Sequence, residues 1–193
     1  MTMMKELSLY KIRDLALESG RSVYNSAQLA NLINMERTTA SVYMSRLVDK
    51  GMAKKLIRGK ISFVDDDFVI ASQLVEPSYI SLTSALLFHN ATQQIPRYVQ
   101  SVTTRNSMTY PEVGLEYHKV NPGLMFGYER HSISGSYCFV ATIEKALIDG
   151  FYLNVFSKDQ VMELCDFNKL RELIPQLEKF SGKGSKKLMR MIS

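Results

Sequence analysis

The chain has 193 residues, 46% of them hydrophobic, with a formal net charge of +5 and two cysteines. That apolar content excludes a disordered chain and suits one large domain or two small ones. Cys138 and Cys165 exclude a disulfide framework, and no Cys-x-x-Cys or His-x-x-x-His spacing offers a zinc site, so two reduced thiols in a cytoplasmic protein are expected.

The opening MTMMKELSLYKIRDL carries charge through its apolar pattern and lacks the core of a signal peptide. Leu7, Ile12, Leu15 and Ala16 then fit one face of a first helix that Gly20 ends. Asn25 or Ser26 caps a second helix with Ala27, Leu29, Leu32 and Ile33 turned inward. After a turn at Asn34-Met35-Glu36, a third helix runs from about Arg37 to Lys50, and Gly51 stands where a C-terminal glycine belongs. Met52 to Leu56 and Ile61 to Val64 are strands of a hairpin whose tight turn uses Gly59. Helix, turn, helix and basic hairpin make a winged helix-turn-helix, which sets a polar helix face in a DNA groove.

Three acids, Asp65-Asp66-Asp67, close this head. Phe68 to Leu74 is either a last strand or a connecting helix, and Glu76-Pro77 breaks the pattern. The expected division is therefore a DNA-binding domain at 1–70 and a larger domain at 77–193. In the second, Leu82 to Asn90 reads as a short helix capped by Ser81. Tyr98 to Thr104, Val113 to Val120, Met125 to Ile133 and Tyr137 to Ala141 read as strands. Thr142 caps a helix that extends toward Phe156, and further helices follow at Val161 to Cys165, Lys169 to Phe180 and Lys186 to Met191. The class is α+β, a winged helix-turn-helix followed by a larger domain with a small sheet and C-terminal helices. The longest apolar stretches are far too short to cross a bilayer.

Charge sharpens the reading. Residues 1–64 hold 11 Lys+Arg against 5 Asp+Glu, residues 65–178 hold 8 against 14, and residues 179–193 hold 5 basic residues and no acid. A basic head, an acidic middle and a basic tail offer a polyanion two separate surfaces. On the third helix Ala40, Tyr43, Met44 and Leu47 form the inward stripe. Thr38, Thr39, Ser41, Val42, Ser45 and Arg46 are left on the open faces, short enough to approach base edges. Lys54 and Lys55 at the hairpin root, Arg58 and Lys60 at its tip, and Ser26 and Gln28 at the second helix's N-terminus are expected on phosphates. Lys179, Lys183, Lys186, Lys187 and Arg190 form a possible second basic surface. No catalytic motif, metal-ligand set or cofactor loop appears. His89, His118 and His131 lie scattered, and Lys145 and Asp149, four apart on a helix, are expected to pair at the surface.

Pro77-Ser78-Tyr79-Ile80-Ser81-Leu82, Ser84-Ala85-Leu86, His89, Gly127-Tyr128 and above all Val140-Ala141-Thr142-Ile143-Glu144-Lys145-Ala146-Leu147-Ile148-Asp149 resemble the AbiEi family of abortive-infection antitoxins. The last stretch is similar to that family's vA-x-x-EKALlD signature. The resemblance implies a repressor that binds inverted repeats in its own promoter as monomer or dimer. It also implies an antitoxin opposing a nucleotidyltransferase-like toxin encoded beside it, with no enzymatic activity, cofactor or membrane. The alternative is a winged-helix regulator whose second domain senses a ligand or modifies nucleic acid. A neighbouring nucleotidyltransferase reading frame favours the first, a polar pocket with convergent ionisable groups the second.

Overall fold

A computed structural model describes residues 7–192, with the backbone alone for Met191 and Ile192. Residues 1–6, which open the expected first domain and part of the stretch weighed as a leader, lie outside the described residues. The fold is mixed α+β, with one three-stranded and one six-stranded sheet.

Helix α1 (Leu9–Glu18) starts at Ser8, whose hydroxyl accepts from the Lys11 amide, and buries Ile12 and Ala16. Strand β1 (Val23–Asn25) leads directly into α2 (Ser26–Ile33). Asn25 and Gln28 form a reciprocal capping box there, and Asn34 ends the helix in the left-handed region. Helix α3 (Arg37–Asp49) buries the expected stripe of Ala40, Tyr43, Met44 and Leu47. Strands β2 (Lys54–Lys55) and β3 (Lys60–Ser62) are shorter than expected, and β1 pairs with β3 to give the order β1-β3-β2. Gly59, at φ +76°, makes the connecting turn.

The small sheet serves two cores. Tyr24 and Ile61 pack with the three helices, whereas Val23 and Leu56 belong to the larger cluster behind them. Adjacent residues of β1 thus point to opposite bodies of packing, as strand alternation requires.

Phe68 to Leu74 is a helix: α4 (Asp67–Leu74), capped by Asp66 and buried from Val69 through Leu74. It occupies the expected domain boundary, and residue 70 falls within it. Gln73 ties the two sides together. Its side-chain oxygen accepts from the amides of Ser22 (2.9 Å) and Val23 (3.1 Å), and its nitrogen donates to the Ser136 hydroxyl (3.1 Å) and the Tyr137 carbonyl (2.8 Å). Arg21 adds a two-pronged pair with Glu76 at 3.1 and 2.7 Å.

Strand β4 (Ser78–Ile80), α5 (Leu82–Phe88), β5 (Val99–Thr103), β6 (Met108–Tyr110), β7 (Leu115–Lys119), β8 (Tyr128–Ile133) and β9 (Ser136–Ala141) follow. The large sheet runs β6-β7-β5-β4-β9-β8, parallel at β5–β7 and β4–β9 and antiparallel elsewhere. Val113 falls in a 3₁₀ turn rather than in the strand expected from it, and Met125 lies outside β8. Four helices complete the chain: α6 (Ile143–Tyr152), α7 (Lys158–Leu164), α8 (Phe167–Lys179) and α9 (Ser185–Ile192). The expected cap at Thr142 is present, accepting from the Lys145 amide. Helix α6 ends at Tyr152, short of Phe156, with Leu153 as its C-cap. No helix among the described residues is long and apolar enough to cross a membrane.

Candidate nucleic-acid interface

The outward face of α3 and the β2–β3 hairpin border one groove of about 310 Å³. Ser26 comes from α2, Ser41, Ser45 and Asp49 from α3, and Lys55, Gly59 and Lys60 from the hairpin, over a floor that includes Met44, Val48 and Ile61. The Arg37 guanidinium donates to the Ser26 hydroxyl at 2.9 Å and so links the N-termini of α2 and α3. Ser41 donates to the Arg37 carbonyl at 2.9 Å, and its lone pairs remain available to a donor. Thr38 is exposed with a long contact to Glu36 (3.4 Å), Thr39 is half-buried, and Val42 stands 50% exposed, an apolar group presented to solvent beside polar ones. Arg46 is exposed and lies 5.9 Å over the Tyr43 ring.

The expected phosphate contacts divide. Arg58 and Lys55 are exposed on the hairpin. Lys54 is exposed too, but pairs with Asp65 at 2.5 Å. Gln28 is held in the capping box. Lys60 departs most from expectation: its ammonium donates to the Leu74 carbonyl at the end of α4. Burial pulls its pKa below the ordinary lysine value, although Glu76 acts the other way. Lys60 points from the hairpin into the second body of packing because α4 covers that face of the small sheet. Asp49 was not singled out for this groove. Depth does not distinguish the neighbouring lysines, and what favours Lys55 over Lys54 is that Asp65 holds Lys54.

Lys145 and Asp149 are not at the surface. Both side chains have zero exposure, and they pair with each other four residues apart on α6. The other Asp149 oxygen accepts from Tyr79 (2.9 Å) and Ser81 (2.8 Å). The ammonium lies 4.7 Å from the centre of the Phe126 ring, and Gly127, at φ +69°, lets the backbone pass against the Lys145 stem. Burial pulls the Lys145 pKa down against the pull of Asp149. Tyr79 is pushed well up, by burial first and by the Asp149 carboxylate second. The ammonium and the carboxylate are thus each met by partners within the core.

Cys138 is buried and Cys165 half-buried, both free thiols. The three histidines are half-buried, with His89 against the Ala141 carbonyl at 2.8 Å and His131 packed on Phe88. Among the described residues no group of three or more His, Cys, Asp or Glu side chains is placed to hold a metal ion. Of the basic tail, Lys179 ends α8, Lys183 lies exposed in the turn after it, and Lys186, Lys187 and Arg190 stand on α9. Compared with models of known families and with curated proteins, the chain matches none.

Proposed function

We propose that residues 7–64 are a winged helix-turn-helix that binds duplex DNA, with α3 in the major groove and the β2–β3 hairpin as the wing. The carrying observation is the shared groove, which Ser41 and Ser45 of α3 line together with Lys55 of the hairpin. Short hydroxyls read base edges, while wing cations hold phosphates without reading sequence. The excess of basic residues before Asp65 supports a polyanionic partner. With the resemblance around Val140 to Asp149, the reading extends to a cytoplasmic repressor that autoregulates a toxin–antitoxin operon and opposes a nucleotidyltransferase-like toxin.

An electrophoretic shift with duplex from the chain's own upstream region tests this reading. Binding should weaken steeply with salt, and Ser41→Ala with Ser45→Ala should relax base preference. A salt-indifferent affinity, or one untouched by both substitutions, refutes it. Rescue of cells expressing the neighbouring toxin tests the antitoxin role separately.

One observation favours a ligand-sensing body as a second reading. A pocket of about 310 Å³ lined by Met125, Tyr128 and Phe139 has Glu76, the partner of Arg21, at its wall.

A further inference from the structure

The tail builds a second cationic concavity. The end of α6, the start of α7 and the outward side of α9 enclose a groove of about 500 Å³ lined by Phe151, Lys158, Gly184, Lys186, Lys187 and Arg190. Among the described residues no carboxylate lines it, and none of its four cations is in an ion pair. Three other cations of the fold do meet a carboxylate: Arg21 pairs with Glu76, Lys54 with Asp65 and Lys145 with Asp149.

The groove is also fixed in shape. The Lys187 ammonium donates to the Phe151 carbonyl at the end of α6 and to the Asn154 side chain at 2.7 Å, and lies 4.5 Å over the Phe151 ring. Lys158 reaches across to the Arg190 carbonyl at 3.2 Å. These bonds pin α9 to α6 and α7 by its basic residues, so the positive charges are held together against their own repulsion. Gly184, at φ +93°, brings the α9 entry against Tyr152, where a Cβ would lie 2.6 Å from the ring. Burial lowers the Lys187 pKa from its ordinary value, which a bound anion would reverse.

We propose that this groove binds the phosphates of a nucleotide or of a single-stranded nucleic acid. Its size falls within the roughly 300–1,000 Å³ range of small-ligand sites. The stiff, convex backbone of a duplex meets such a concavity only at its rim, whereas a nucleotide or a flexible strand follows it. The site is separate from the α3 face and does not depend on that face binding DNA.

Fluorescence anisotropy on the full chain tests the proposal, with 5′-labelled decauridylate as probe and ATP as unlabelled competitor. The variant Lys158→Gln/Lys186→Gln/Arg190→Gln leaves Lys187 to hold α6. It should weaken probe binding at low salt by about tenfold or more and reduce the salt slope by about 2, near 0.7 per lost single-strand contact. A charge-matched variant, Arg171→Gln/Lys179→Gln/Lys183→Gln, removes three exposed cations outside the groove and should have a much smaller effect. Displacement by ATP identifies a nucleotide site, and its absence with retained probe binding identifies a strand site. The proposal is overturned if wild type fails to bind the probe at low salt, or if the groove variant binds as wild type does. Equal losses in the two variants also overturn it.

Discussion

Replacing Lys145 with methionine keeps most of its length and removes its charge. Asp149 would then stand at zero exposure with two hydroxyl donors, Tyr79 and Ser81, and no cation. Breaking a buried pair from one side costs about 3–5 kcal/mol, because the orphaned charge keeps its full desolvation penalty. For a chain of this size each kcal/mol moves the midpoint by about 2–4 °C, so a fall of roughly 6–20 °C is expected. The double variant Lys145→Met/Asp149→Asn removes the orphan, and should be less destabilised than the sum of its parts by about 2 kcal/mol or more. Urea unfolding followed by circular dichroism measures Lys145→Met, Asp149→Asn and the double variant, with the slope m checked for constancy. A cost below about 1 kcal/mol for Lys145→Met is the behaviour of a screened surface pair. That result would refute the enclosed cluster.

The wing offers a contrast. Arg58→Gln should reduce the salt slope of duplex binding by about one unit, whereas Lys60→Gln should leave that slope intact and reduce stability, since Lys60 serves α4; equal slopes for the two variants would contradict the division. Gln73→Ala strips partners from two buried amides, a hydroxyl and a carbonyl. It should cost about 3 kcal/mol, read by denaturant midpoint, and a loss under about 1 kcal/mol would mean that the joint is open to water. Burial lifts the Cys138 thiol from 9.0 to about 11. The unfolded thiol therefore ionises first, and its contribution to stability is whole below pH 9 and lost as pH rises from 9 to about 11. Cys138→Ala should flatten that alkaline loss in urea midpoints, and an unchanged profile would count against the buried thiol.

What the residues announced depended on pattern length. The α3 stripe spans two turns, so its period is visible, and Gly51 and Gly59 mark positive φ where turns need it. Strands β1, β4 and β6 have three residues each, too few for alternation to register. Strand β4 is moreover buried on both faces and shows no alternation at all. Lysine beside a hairpin tip says nothing about which layer covers it, hence the misdirected expectation for Lys60. For Lys145 and Asp149 the spacing was right and the depth was not. Depth came from Tyr79 and Ser81, 70 and 68 residues away, which no local pattern reveals.

Strand β1, with Val23 in one core and Tyr24 in the other, has a geometric corollary for any operator. A head hung on a flexible tether can swivel to reach half-sites at varied separations. One whose first strand is shared with the body has no such latitude. Were two copies to sit on an inverted repeat through contacts between their bodies, the distance between recognition helices would be set by protein, not by DNA. Inserting half a helical turn, about 5 base pairs, between half-sites would then turn one of them to the wrong side of the duplex. A full-turn insertion would restore the facing but not the distance.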